Sequence, residues 1–431
     1  MQDYKKDLNE LTEQIKSGVS PFHTICYNAE LFKSNGYKEL KLGEGWKLEA
    51  GEAYFVNAYD TSLLAFTIGR NAKEHPTFRI AASHTDWPCL MVKPSPETEV
   101  CGYGKLNVSA YGSAILSTWM DRTLSLAGKV CTKGTDPFHP HVHFVDFKRP
   151  LLTIPNLAIH FNREVNNGIA LNPQIDMQPI IAMMDSTLNK DSFFLDLLAG
   201  EIKTAKEDIL DYEFYIYNCD EPQLLGIREE FLSAPRLDNL TSVQACVSGL
   251  LNSSRESGIC VAALYDNEEI GSDTKQGAAS PLTDRILEKI YLSLGYSRSE
   301  YLDALFNGFL LSLDVAHALH PNKLDKYDPI DRVALNEGAA LKLAVTQAYA
   351  TDASYISVME DICRRASIPY KKFSNRSDIK GGSTLGSISS CILTMPAVDA
   401  GVPILAMHSA RELMGVKDQW ALAEITRMFL K

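Results

Sequence analysis

Residues 258–269, GICVAALYDNEE, decide the reading of this chain: an apolar run from Ile259 to Tyr265 stops abruptly at two adjacent carboxylates, Glu268 and Glu269. A short continuous apolar run of this kind reads as a strand. Three more runs end at a residue able to bind a divalent metal. FRIAAS (78–83) stops at His84, FLLSL (309–313) at Asp314, and PILAM (403–407) at His408. In an open α/β sheet, ligands bind beyond the carboxyl ends of the strands, so four such ends predict one crevice. A fifth residue, Asp238 in SAPRLDNLTSV (233–243), stands just before a helical pattern, where a carboxylate both caps the helix and points outward.

Outward from these ends, apolar strand-like runs alternate with helical patterns. GICVAALYD (258–266) is followed by a helical DRILEKIYLSLG (284–295), then by GFLLSLDVAHA (308–318), then by a helical reading of NEGAALKLAVTQAYAT (336–351). Alternating β and α predicts a mainly parallel central sheet flanked by helices. The opening has the same α/β texture: an amphipathic helix over the first ~20 residues, then strands at EAYFVNA (52–58) and SLLAFTIG (62–69). Between 93 and 230 the texture changes to strand-like stretches, a Pro/His-rich segment TDPFHPHVHFVDFKRP (135–150) and a helical stretch near 186–206. We therefore expect a catalytic α/β domain in two parts, 1–92 and 231–431, interrupted by a smaller β-rich inserted domain at 93–230.

Two imidazoles, His84 and His408, and four carboxylates, Asp238, Glu268, Glu269 and Asp314, suit zinc, with manganese or cobalt as substitutes, better than a thiolate-seeking metal. One catalytic zinc needs three protein ligands and an open position, so six groups exceed the need of a single ion. Two ions sharing one carboxylate would use all but one group, and the sixth would be the base that takes a proton from water and returns it to a leaving amine. Adjacent Glu268 and Glu269 divide those roles naturally. Asp86, two residues after His84, faces the same side of an extended chain and would accept the imidazole N–H.

Two other features compete for attention. His139, His141 and His143 alternate on one face of a strand, but they have no nearby carboxylate base and fall in the insert, so they read as a surface or interface feature. The segment Gly381-Gly382-Ser383-Thr384 matches no phosphate-loop pattern and reads as backbone brought close to a substrate.

At these residues the sequence resembles the aspartyl-aminopeptidase family of dinuclear zinc metallopeptidases, in its bacterial branch. The matching stretches are SHTDWPCLMVKP, HFNREVNNGIALNPQ, PRLDNL, YDNEEIGSDTKQGAAS, DVAHALHPN, NRSDIKGGSTLGSIS and MHSARELMGVKD, in order from 83 to 418. The resemblance implies that Asp238 bridges two ions, that His84 and Asp314 complete one site, and that Glu269 and His408 complete the other. It gives Glu268 the role of general base, with Asp86 supporting His84. It further implies an exopeptidase acting on the amino termini of short peptides and a tetrahedral assembly of twelve subunits, in which a histidine matching His160 reaches a neighbour's active site. The stretch NRSDIKGGSTLG and the segment KLDKYDP after HPN depart from members that prefer acidic residues, so selectivity stays open. Lys326 and Lys380 are candidate cations for an acidic side chain, and Arg376 is a candidate to hold the peptide.

Composition bounds the alternatives. The 431 residues include 42 Lys plus Arg against 54 Asp plus Glu, a net charge of −12, with no long basic run, which disfavours nucleic-acid and anionic-membrane partners and with them a nucleic-acid phosphodiesterase. No apolar segment approaches the ~20 residues of a membrane-spanning helix, and the amino terminus has no signal-peptide core. Nine scattered cysteines without a C-x-x-C pair read as free thiols in a reducing cytosol. A dinuclear deacylase or carboxypeptidase and a catalytically silent metal-binding assembly remain as alternatives to the aminopeptidase.

Overall fold

The structure is a computed structural model that describes residues 4–72 and 77–431. Its larger sheet has nine strands, in the order Lys38–Leu40, Ala53–Ala58, Ser62–Ile68, Ile259–Tyr265, Phe78–His84, Phe309–Leu313, Ala397–Gly401, Ala339–Leu343 and Tyr370–Ser374. Five of the eight pairings are parallel and three antiparallel, so the sheet is mainly parallel as expected. Every residue of Ile259–Tyr265 is buried, which is why that run shows no polar alternation.

On one face, Ile80, Ala82, Val261, Ala263 and Leu310 share a core with Ile286, Leu287 and Ile290 of helix Leu282–Ser293 and Leu385 of helix Leu385–Leu393. Each large apolar side chain so buried contributes about 1.5–3 kcal/mol. Helices Leu237–Leu251 and Asp418–Leu430 also pack on Phe78–His84. They approach each other closely at Gly249, where a Cβ would lie 2.6 Å from Thr426 Cγ2. Helix starts follow local chemistry: Ser20 caps Pro21–Ser34, Asp352 caps Ala353–Ala366, and Ser297 with Glu300 forms a capping box.

The register aligns the strand ends. His84 pairs with Tyr265, Ser312 with Ala82, and Leu313 with Ala400, so residues just past these positions emerge along one edge. Two expectations change here. The stretch 336–351 is not helical: Ala339–Leu343 is a buried strand paired on both sides, because sheet neighbours outweigh the helix propensity of Ala, Leu and Lys. The PILAM run does not join the central sheet either. Pro403–Leu405 lies in a separate five-stranded sheet with Gln223–Leu225, Phe231–Ala234, Glu412–Gly415 and Ala316–His317.

The chain divides into two compact units, one of Met1–Asp86, Pro222–Met407 and Glu412–Lys431, the other of Trp87–Glu221 with His408–Arg411. The edges fall outside 93 and inside 230 for simple reasons. Cys89–Val100 is one continuous strand, and Gln223–Leu225 pairs with Phe231–Ala234. The second unit is β-rich, an all-antiparallel sheet in the order His141–Asp146, Leu124–Thr132, Ile209–Asn218, Cys89–Val100, Tyr103–Tyr111 and Ile180–Met183.

Candidate metal centre

The strand Phe78–His84 stays extended through His84, which is buried. Its Nδ1 lies 3.1 Å from the backbone carbonyl oxygen of Asp86 and 3.4 Å from Asp86 Oδ1. A donated Nδ1–H fixes the tautomer and turns Nε2 toward Asp238 Oδ1 at 3.5 Å and Asp314 Oδ1 at 3.6 Å. Asp86 does more than steady the ring: its two carboxylate oxygens accept the backbone N–H groups of Glu268 and Glu269, each at 3.1 Å. Past Tyr265 the chain turns sharply at Asn267, whose φ of 64° lies in the left-handed region that asparagine tolerates, and Glu268–Ile270 forms one tight helical turn. Thr274 Oγ1 donates to Asn267 Oδ1 at 2.8 Å and pins this corner.

Asp238 sits within the first turn of Leu237–Leu251 with non-helical dihedrals. Its N–H donates to Glu412 Oε2 at 3.0 Å, and the neighbouring Asn239 Nδ2 donates to the Leu313 carbonyl at 3.0 Å, tying this helix start to the strand that delivers Asp314. Asp314 donates its N–H to Ala400 at 3.0 Å, and a Cβ at Gly401 would fall 1.8 Å from the Asp314 carbonyl oxygen, so only glycine fits there. Within the larger compact unit two sets of candidate ligands result: His84, Asp238 and Asp314, and His84, Glu268 and Glu269, with one donor atom from each residue of a set within 4.8 Å of the others.

Electrostatics match that convergence. Burial, then the charges of Asp314, Asp86 and Asp238, push Glu268 up to about 8 against the pull of His84. Burial and Asp238 raise Glu269 well above the ordinary carboxylate range. Burial opposes charge on His84, yet the Asp314 and Asp86 carboxylates and the Glu268 charge raise it well above 6.5. Burial alone would raise Asp314, but the Lys342 ammonium and His84 outweigh it and hold Asp314 well below its usual value. Five carboxylates thus share the site with one imidazole and one buried ammonium, an excess of negative charge that divalent cations would neutralise.

Lys342 was invisible in the helical reading of 336–351, although a lone charge inside the apolar AALKLAV was a signal. The cations named from sequence behave differently. Lys326 is exposed beside Asp325, Lys380 is exposed, and Arg376 Nε donates to Asp378 at 2.6 Å. Gly381 packs against Asn375, where a Cβ would lie 2.1 Å from Nδ2, whereas Gly382 faces open space. His408 belongs to the other compact unit, with its carbonyl accepting from Ile115 N–H at 2.9 Å and its Nδ1 3.1 Å from the Ser113 carbonyl oxygen. His160 is exposed in the turn Ile159–Phe161. Among the described residues, His139, His141 and His143 join no candidate metal group; His143 Nε2 contacts Thr132 Oγ1 at 3.1 Å and His139 Nδ1 contacts Asp136 Oδ2 at 2.7 Å.

Comparison with known proteins adds an independent line. The profile of the family described as "Aminopeptidase I zinc metalloprotease (M18)" matches residues 14–430. The "Probable M18 family aminopeptidase 2" of Clostridium acetobutylicum is 43% identical over 410 residues, covering 95% of each chain. A solved structure titled "Cryo-EM structure of the Ape4 and Nbr1 complex" superposes with a TM-score of 0.94 at 33% identity, over 99% of this chain and 86% of the other. Another, "Structure of S. cerevesiae mApe1 dodecamer", gives 0.86 at 23% identity over 99% and 97%, a likeness of fold.

Proposed function

The chain belongs to the aminopeptidase I (M18) family of zinc metalloproteases, and from that premise we propose that it removes amino-terminal residues from short peptides at a two-zinc centre with Glu268 as the general base. The observation that carries this reading is the convergence on His84 of Asp238 and Asp314, and of Glu268 and Glu269. One imidazole and several buried carboxylates form a donor set that fits zinc, and burial with neighbouring negative charge raises Glu268 and Glu269, a crowding that a cation would relieve. In this reading, which follows the resembling family, Asp238, His84 and Asp314 would hold one ion, and Asp238, Glu269 and His408 would hold the other. Bound zinc would supply Lewis acidity, acidifying water and polarising the scissile carbonyl.

The chain's own residues supply the rest. The Glu268 carboxylate takes the proton from the attacking water and hands it to the departing amine. Asp86 orients that base by gripping the Glu268 backbone N–H, and it orients the first ligand through His84 Nδ1. The test is Glu268→Gln. It should keep the zinc content of the wild type and lose at least ~100-fold in kcat, the scale of general base catalysis. Full activity would remove Glu268 from the role, and hydrolysis of amino-blocked peptides would favour a deacylase or carboxypeptidase. A profile of aminoacyl amides across all side chains would settle the preference for acidic residues.

The β-rich unit is the assembly body in this proposal. Phe138, Phe161 and Ile175 are 89%, 81% and 72% exposed there, apolar surface suited to burial between subunits. A homo-oligomer follows, dodecameric and tetrahedral as in the resembling family, with His160 delivered to a neighbour's site. Nine cysteines without a disulfide accord with a cytoplasmic setting.

A further inference from the structure

Lys342 is 2% exposed in the middle of a strand, and its surroundings account for every N–H it has. Nζ lies 3.2 Å from the Asp314 carbonyl oxygen, 3.3 Å from Asp314 Oδ2 and 3.0 Å from the Val315 carbonyl oxygen, three acceptors for three donors. The Tyr349 ring closes a fourth side with its centroid 4.7 Å away. In register, Lys342 faces Asp399 on the adjacent strand, and Asp399 faces Ser312 on the next, two residues before Asp314. With side chains alternating along each strand, these groups form one polar row across a buried face.

The two oxygens of Asp314 are divided. Oδ2 takes the Lys342 bond at 3.3 Å, and Oδ1 is the atom 3.6 Å from His84 Nε2. Asp399 is fully buried behind the lysine, accepts the Ala350 N–H, and is crowded by Gly386, where a Cβ would lie 2.5 Å from Asp399 Oδ2. A buried ammonium flanked by only one carboxylate would leave the local charge set entirely by the ligand it touches. Asp399 supplies the second negative charge, so the lysine does not depend on Asp314 alone.

We propose that Lys342, backed by Asp399, is a positioning residue that locks the Asp314 carboxylate so that a single oxygen, Oδ1, is presented to the metal. This rests on the reading of Asp314 as a ligand, so the experiment carries Asp314→Asn as its reference. Zinc affinity of the purified protein is measured by competition with a chromogenic chelator, alongside the Tm of the metal-free form, for Lys342→Met, Asp399→Asn and the double variant. Lys342→Met should lower zinc affinity by about 10–100-fold, the usual cost of removing a partner that orients a metal ligand. It should also lower the metal-free Tm, because two buried carboxylates lose their cation.

The double variant separates positioning from bulk stability. Removing one charge of each sign should restore much of the metal-free Tm while zinc affinity stays low. Should Lys342→Met fail to fold, the double variant alone carries the comparison. Affinity that recovers together with Tm, or Lys342→Met that binds zinc as the wild type does, overturns the proposal. If Asp314→Asn also binds zinc as tightly as the wild type, it is the ligand assignment that fails.

Discussion

Asp86→Asn removes one charge and one acceptor from the point where several parts of the metal centre are tied together. In the wild type both carboxylate oxygens are used, one by the Glu268 N–H and one by the Glu269 N–H, at 3.1 Å each in a fully buried setting. The amide keeps one acceptor and turns its NH2 toward the other backbone donor. One charge-assisted bond worth about 1.5–3 kcal/mol is lost, and one buried donor is stranded at a cost of about 1–3 kcal/mol. The metal-loaded protein should therefore lose about 2.5–6 kcal/mol. Without metal an opposing effect operates. After burial, the Asp86 charge helps raise Asp266 to about 7 and contributes to the rise of Glu268 to about 8 and of Glu269. Removing that charge relieves repulsion and offsets part of the loss. Differential scanning fluorimetry on loaded and stripped protein should then show the larger Tm drop in the loaded form, with kcat down by about 10–100-fold. Equal drops in the two forms, or kcat within twofold of the wild type, would refute the reasoning.

A second expectation concerns pH. Asp418 accepts the N–H groups of Asn336 at 2.7 Å and Gly338 at 2.9 Å, yet burial pushes it from 3.8 up to about 7. The folded state thus holds this proton more tightly than the unfolded chain, so its contribution to stability is full below about pH 4 and falls as pH rises to about 7, by about 4 kcal/mol. Denaturant unfolding of the metal-free protein should show this slope weakened in Asp418→Asn, and parallel wild-type and variant curves would contradict it. For the assembly, sedimentation should give a particle of about 570 kDa, twelve times the 47.8 kDa chain, and His160→Ala should leave that mass intact while lowering kcat. A fully active monomer would exclude a shared site.

How much of this was legible in the sequence depended on the kind of residue. His84, Glu268, Glu269 and Asp314 stood out because each breaks or follows an apolar run, and a parallel sheet turns such breaks into neighbours in space. Asp86 was found by alternation, which gives the face of a strand; its chief partners are backbone N–H groups 182 and 183 residues onward, which no spacing rule reports. Lys342 was hidden because Ala, Leu and Lys favour a helix, where a lysine reads as solvated; pairing on both sides made the same residues a buried strand. Asp399 was hidden by brevity, since AVDAG is too short to show a period. The PILAM run was recognised as a strand but assigned to the wrong sheet, because periodicity says nothing about which sheet a strand joins.

The strand order also sets a timetable for making the protein. Phe78–His84 lies between Ile259–Tyr265 and Phe309–Leu313, so neither of its lateral partners exists when it leaves the ribosome. At about 5–20 residues per second, the first of them follows on the order of ten seconds or more later. The six strands of 89–218 form a separate sheet and pair with one another, so that sheet can fold during the wait. His84 and Asp86 must meanwhile stay without Glu268, Glu269 and Asp314. With His408 as a ligand of the proposed centre, a nascent chain is therefore a silent peptidase until residue 408 has emerged.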